Sequence, residues 1–534
     1  MTLPRTTAAV LADHVLFEIE CVDRMYVNVY VPNLQYPKGL VGYLRGRMGC
    51  PIPSTAPLGA KSDAFAKAVR RFAAEGGIDW VDFKKGQRKD DIMKAHLSRF
   101  SRTEGVLFVG RAQEKARVFR TEKRRRDDGT SYPWIVDTTA VVNHYYFYCV
   151  DRDFGPFFVK FCGYFPYTGK LCLNGHEWAK RQATMAGIGF EALDNAFGAV
   201  DDVDAVQRIC SGFSAGHIQA LFDKWATILP WPFDAQDIHD GYGYELSMLQ
   251  SEFSLTQVLD QPQSGRVFFE QAIKDNLDIG RPSQVSLIFG RRILTRGAHP
   301  TPGVFRTRVI TDGVIPSLHV DYKTSTIKQY HKEGRALRTE TTINNARDFG
   351  IGKRLTNLPA LCEVGFHANK RLLDVQRISH DPSQGADILT HVTAPVVNPV
   401  TGTRTAGLRF TDPRVHDLFQ ALLMFKFTTD GFIASEFRSA MSVLHGEAFT
   451  ACQVTYDLRR LKHHGFITRR PHSRRYDLTP QGLEQALFLL RAQDRFLRTG
   501  LAELVEPIPN KLNTANRTYQ KALDDLARRS CLTG

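Results

Sequence analysis

Signatures that depend on fixed spacing are missing from this sequence. It has no G-x-x-x-x-G-K-[ST] and no H-E-x-x-H, so ATP-driven and zinc-protease chemistries lose their usual residues and no nucleotide cofactor is expected. It also lacks a C-x-x-C pair, paired Cys/His zinc spacing, and the His-x-His pair used by metal-dependent nicking enzymes. Its nine cysteines are scattered and odd in number, which predicts reduced thiols in a cytoplasmic protein. No apolar run approaches the ~20 residues that span a bilayer, and no basic segment followed by an apolar one opens the sequence. A soluble, unexported chain with no membrane partner is expected. Repeats and low-complexity tracts are absent too.

What remains is an ordinary globular composition in an unusually basic chain. The 534 residues exceed what one core organises, and 43% hydrophobic with 24% charged residues predicts folded domains. Lys and Arg outnumber Asp and Glu by 70 to 56, a formal charge of +14, which favours anionic partners: DNA first, RNA second. The oligomeric state is not readable.

The fold class expected is α/β (α+β), multidomain, with mixed sheets and helices. Residues 1–130 read as an N-terminal α/β region: "MYVNVYV" is strand-like, "KSDAFAKAVRRFAAEGG" helical, and "KARVFRTEKRRRDDGTSYPWIV" a hairpin about Asp128-Gly129 with a basic run from Lys123 to Arg126. Residues 131–290 combine an aromatic-rich sheet, "VVNHYYFYCVDRDFGPFFVKFCGYFPY", with helices such as "NGHEWAKRQATMAG", "AGHIQALFDKWATIL" and "SGRVFFEQAIKDNLDIG". Residues 291–395 form a second β-rich region with a helix, including a hairpin about Asp312-Gly313 and the strand "ALRTETTIN". Residues 396–408, rich in Pro, Gly and Thr, read as a linker.

After the linker, Asp412-Pro413 caps one helix, "SEFRSAMSVLHG" supplies a second, and a third from Thr450 puts Ala451, Val454, Leu458 and Leu461 on one face. Gln453, Tyr456, Arg459, Arg460 and His463 fall on the other. A basic hairpin follows, carrying Arg469, Arg470, His472, Arg474 and Arg475, and Thr479-Pro480 caps a last helix. The residues "LRRLKHHGFITRRPHSRRYDLTPQG" resemble the winged-helix regulators of the MarR type. That resemblance implies a C-terminal winged helix-turn-helix over 409–500, ahead of a helical tail over 501–534. It implies a recognition helix in the major groove, with Gln453, Arg459 and Arg460 reaching base edges and Tyr456 and His463 among the nucleic-acid-contacting residues, and a wing whose Arg469, Arg470, Arg474 and Arg475 neutralise phosphates. Docking of another protein by such a module, as a regulatory scaffold, is the competing role.

In the long N-terminal part, Asp137, Asp151, Asp153, Lys160, His176 and Glu177 form the best chemical constellation. Asp137, Asp151, Asp153 and Glu177 would be ligands for Mg²⁺, with Asp151, Asp153, Lys160 and Glu177 acting on a phosphodiester, as in a Mg²⁺-dependent nuclease. The ordinary alternative is a turn that favours Asp and a helix surface. The segment "VDYKTSTIKQYHKEGRALRTETTIN" resembles part of the replication-initiation proteins of small plasmids and phages. That implies Tyr322 or Tyr330 as nucleophile and Lys323, Lys328, Arg335 and Arg338 as phosphate contacts, a mobile-element role. The aromatics Tyr145 to Tyr148, Phe157, Phe158 and Phe161 are read as a doubly buried core in preference to a base-stacking surface. With "NGHEWAKRQ" at Asn174 to Gln182 and "NLDIGRP" at Asn276 to Pro282, the whole is similar to long bacterial proteins with a terminal winged helix, which implies a bacterial, cytoplasmic origin.

Overall fold

The computed structural model describes residues 14–261, 301–310, 317–332, 334–378, 392–397, 404–409, 412–423, 431–471 and 473–492, with Phe269, Val285, Ile288, Phe289 and Gly402 as single positions between them. The 264–280 segment expected as a helix, Asn276 to Pro282, Asp312-Gly313, His472 and the 501–534 tail lie outside the described residues, apart from Phe269. The fold is mixed α/β. Two compact units divide the chain: residues 16–259 with 324–366, termed the body, and residues 1–15, 260–323 and 367–534.

In chain order the strands are β1 (Val15–Tyr30), β2 (Asp79–Asp82), β3 (Gly105–Arg125), β4 (Ser131–Asp151), β5 (Gly155–Cys162), β6 (Gly169–Asn174), β7 (Phe190–Ala192), β8 (Phe197–Val200), β9 (Glu245–Leu259), β10 (Phe305–Ile310), β11 (Ser317–Tyr322), β12 (Ser325–Lys332) and β13 (Ala336–Ile343). The body is built on one sheet in the order β12-β13-β9-β1-β6-β5-β4-β3-β2. The pairings β12–β13, β13–β9, β1–β6, β6–β5, β5–β4 and β4–β3 are antiparallel, and the short β2 runs parallel to β3, to which the helix Lys89–Leu97 crosses over.

The aromatic run fills both faces of this sheet. Tyr145 and Phe147 meet Phe65 and Phe72 of the Ala56–Glu75 helix, at ring distances of 5.7 and 6.2 Å. On the alternate positions, Tyr148 stacks on Phe108 at 4.5 Å, and Tyr146 lies against Phe83. Period-2 alternation sends neighbours to opposite faces, and both faces are covered. The doubly buried reading is correct here, and stacking on bases is closed to these rings.

Two local devices place the helices. Asn174 accepts hydrogen bonds from the backbone N–H of His176 and Glu177 at 2.8 and 3.3 Å, starting the Gly175–Met185 helix. Gly175 is required beside it, because a Cβ would stand 2.2 Å from the carbonyl oxygen of Val22.

In the other unit, β10 and β11 form the expected hairpin, with Phe305 opposite Tyr322 and Ile310 opposite Ser317. The segment read as a linker contains a strand pair, Val396 and Val397 against Thr405 and Arg404, and Leu408 is buried. Among the described residues, Gly407 is required: a Cβ there would stand 1.9 Å from the Thr393 carbonyl oxygen.

Candidate nucleic-acid interface and the polar clusters of the body

The C-terminal elements follow the expected order. Helices Pro413–Leu422, Ala434–His445 and Ala451–His463 precede the strands Ile467–Arg469 and Arg475–Leu478, and the helix Pro480–Ala492 comes last. Both hairpin strands join Phe432–Ile433 in a three-stranded sheet, with Arg475–Leu478 central. The caps read from sequence are made: Asp412 accepts from Arg414 N at 2.9 Å, and Thr479 Oγ1 accepts from Gly482 N at 2.8 Å.

The Ala451–His463 helix buries Val454, Leu458 and Leu461 and exposes Thr455, Tyr456, Arg459 and Lys462. Arg459 lies 5.8 Å from the Tyr456 ring, and neither it nor Lys462 has a carboxylate partner among the described residues. Three expectations for this helix need correction. Arg460 is buried: its guanidinium donates to Gly407 O at 2.6 Å and lies 3.7 Å from Asp457. Gln453 spends its side-chain oxygen on the helix start, accepting from Thr450 N at 2.8 Å. His463 shares a 2.7 Å hydrogen bond with Thr405. Arg460 and His463 flank the apolar stripe, and a core-facing stripe is wide enough to take in its neighbours; Gln453 completes the capping box with Thr450 instead. Asp457, likewise buried and held by Arg414 at 2.7 Å, marks the same polar seam.

On the hairpin, Arg469 and Arg474 are exposed. Arg469 donates only to Ser473 O, at 3.1 Å. Arg470 is paired bidentately with Asp477, at 3.0 and 2.7 Å. Arg475 is half-buried and donates to Gly431 O, so it braces the sheet. Lys462, absent from the expected set, belongs with Arg459 by its i+3 spacing.

The acidic constellation of the body is not brought together. Asp137 stands fourteen residues before Asp151 on β4, about 45 Å along the strand, and pairs with Arg117 at 2.8 Å. Lys160 donates to Glu114 at 2.5 Å and to Tyr146. Burial opposes ionisation of Glu114, yet bonds from Lys160, Lys89 and Tyr146 outweigh it and lower its pKa to about 2. Glu177 accepts from Lys180 at 3.0 Å. His176 is buried, shares a 3.0 Å bond with Ser254, and burial holds its pKa far below the usual imidazole range.

Asp151 and Asp153 do stay adjacent, at the turn between β4 and β5. Asp151 is buried and fully engaged: Lys224 and Trp225 donate to one oxygen at 2.8 and 2.9 Å, and the N–H groups of Asp153 and Phe154 to the other. Desolvation works against its charge, but these donors prevail and its pKa is lowered. A cavity of about 260 Å³ opens beside it, lined by Asp151, Asp153, Trp178, Gln182, His217 and Lys224 among others. Mg²⁺ demands near-octahedral oxygen ligands, and Asp151 has none to spare, which leaves Asp153 as the free carboxylate. Among the described residues no group of three or more His, Cys, Asp or Glu side chains is placed to hold a metal ion. The residues do not fit Mg²⁺, and no step is drawn through it.

The initiator-like segment is also absorbed by structure. Tyr322 is buried between Phe289 and Phe305, at ring distances of 5.1 and 5.4 Å. Tyr330 donates to Glu340 at 2.9 Å. Arg338 is fully buried, binding Asp23, Glu340 and the Asn195 carbonyl and donating to Thr256 at 2.9 Å. It cannot reach a phosphate. Arg335 pairs with Glu191 at 2.6 Å, Lys328 lies 4.3 Å over the Tyr330 ring, and Lys323 lies over Tyr322. No helix among the described residues is long and apolar enough to cross a membrane. No protein-family model, curated protein or solved structure matches the chain.

Proposed function

We propose that this protein binds nucleic acid, duplex DNA foremost, through the face formed by the Ala451–His463 helix and the hairpin after it, acting as a winged-helix module. One observation carries the reading. Arg459, Lys462, Arg469 and Arg474 are exposed without carboxylate partners among the described residues, beside the exposed Tyr456. Such a concentration of unpaired cations on one face is the electrostatic footprint of a polyanion surface. The helix would present Tyr456 and Arg459 to base edges, and the hairpin arginines would meet phosphates.

The test is fluorescence anisotropy of the full chain with duplex DNA, single-stranded DNA and RNA across a salt series. Duplex binding that weakens steeply with salt is expected, since neutralised phosphates release counterions. Binding that is absent, or indifferent to salt, would sink the reading in favour of protein docking. A second reading, a nuclease or mobile-element replication protein, draws on Asp153, His217 and Lys224 around the 260 Å³ cavity. Strand cleavage in the same mixtures, lost in Asp153→Ala, would establish it; intact strands would exclude it.

A further inference from the structure

Strands β3 and β4 stay paired well past the part of their ladder that is packed. The last buried residues are Val118, Phe119 and Ile135, and Thr121 is tied down by a 2.8 Å bond from Thr55 N to its hydroxyl. Beyond that point the pairs Glu122↔Trp134, Lys123↔Pro133, Arg124↔Tyr132 and Arg125↔Ser131 continue to the turn at Gly129. Those four pairs make a two-stranded ribbon about 14 Å long.

Alternation decides what each face of the ribbon carries. On one face the Arg124 guanidinium lies 4.9 Å from the Trp134 ring and that of Arg126 5.3 Å from Tyr132, while the two rings meet edge to face at 6.3 Å. Lys123 and Arg125 occupy the other face. Two of the three nearby carboxylates are committed, Glu122 to Arg120 at 2.6 Å and Asp128 to the turn by accepting from Thr130 N at 2.8 Å, while Asp127 is exposed at the tip. Lys123, Arg125 and Arg126 have no carboxylate partner among the described residues.

A solvated hairpin tip needs none of this. Four consecutive cations repel one another, a two-stranded ribbon by itself is marginal in water, and Trp134 is 46% exposed. Each of those costs is offset by an anionic, groove-shaped partner. We propose that the ribbon is a nucleic-acid-contacting arm that enters the major groove of duplex DNA. The major groove admits a two-stranded ribbon. Cations on both faces then meet the phosphates of both groove walls, while Trp134 and Tyr132 rest on sugars and thymine methyl groups. This rests on the duplex-binding reading above and adds a contact from the other unit of the chain.

The experiment uses full-length protein and a duplex DNA, with anisotropy across a salt series for three variants: Lys123→Ala/Arg125→Ala/Arg126→Ala, Trp134→Ala, and Arg459→Ala/Arg474→Ala. The ribbon triple variant is expected to bind on the order of tenfold more weakly and to lower the log–log salt slope by about 3, one phosphate for each cation removed. Trp134→Ala should weaken binding with the slope unchanged. Thermal unfolding should be the same for all, because these side chains are exposed. If the ribbon variants match the unaltered protein while Arg459→Ala/Arg474→Ala loses affinity, the arm is refuted and the C-terminal interface survives. The converse pattern keeps the arm and refutes that interface. An unaltered chain that binds no duplex overturns both.

Discussion

Arg338 and Arg459 come from stretches of sequence equally rich in cations, yet the two regions use them in opposite ways. In the body, Arg338 is sealed among Asp23, Glu340, Thr256 and a carbonyl, Lys160 is held by Glu114, and Lys224 by Glu104 and Asp151. In the C-terminal segment, Arg459, Lys462 and Arg474 face solvent without carboxylate partners among the described residues. In the body's interior, charge becomes architecture, whereas the exposed C-terminal face, like the β3–β4 ribbon tip, leaves it available. A basic run acquires meaning only from the carboxylates that the fold brings to it.

The sharpest break in that comparison is Arg338→Met. Removing the cation strands Asp23 and Glu340 in the interior and should destabilise the body by about 3–5 kcal/mol in denaturant unfolding. A loss below about 1 kcal/mol would mean the cluster is ornamental. Next comes Glu252. Burial and the charge of Asp23 raise its pKa from 4.5 to about 7. The folded state therefore keeps a proton that the unfolded chain gives up, and stability falls as pH rises between those values. Glu252→Gln should remove that fall, gaining about 3 kcal/mol at pH 8 and almost nothing at pH 4. Equal gains at both pH values would refute the shift.

On the exposed side, Arg459→Ala should reduce discrimination between duplex sequences by about 1–3 kcal/mol. Arg460→Ala, by contrast, should lower thermal stability and leave sequence preference intact. Identical preference profiles for Arg459→Ala and the unaltered protein would remove it from the base-reading face. Arg469→Ala with Arg474→Ala should weaken all sequences alike and lower the salt slope by about 2. The smallest effect belongs to Tyr330→Phe, which deletes one bond to Glu340 and should cost about 1 kcal/mol with no change in binding or strand integrity. Loss of a strand-cleaving activity in that variant would return Tyr330 to a chemical role.

Local order was legible wherever a short-range rule governs it. Turn residues marked the β3–β4 and β4–β5 hairpins, Asp412 and Thr479 announced helix starts, and the aromatic run declared a doubly covered sheet. Pairings across long separations were not. Asp151 is answered by Lys224 and Trp225 from more than seventy residues away, and Asp23 by Arg338 from two strands across the sheet and more than three hundred residues along the chain. No spacing rule connects them, so a turn aspartate and a strand arginine looked available for chemistry when both were structural. Arg460 shows the intermediate case. Its i,i+3 relation to Asp457 was visible, but an aspartate inside an apolar stripe reads as an exception until Arg414 is seen to neutralise it.

The central position of β1 has a consequence for synthesis. It lies between β6 and β9, so its first neighbour is complete only at residue 174 and its second only at residue 259. At ribosomal speeds of roughly 5–20 residues per second, β1 waits about 10–30 s after emerging before β6 exists to pair with it. During that interval an apolar strand with Met25, Val27 and Val29 on one side is unpaired on both edges. The nascent chain is thus most prone to mispairing in its first third, long before the basic C-terminal helices have been made.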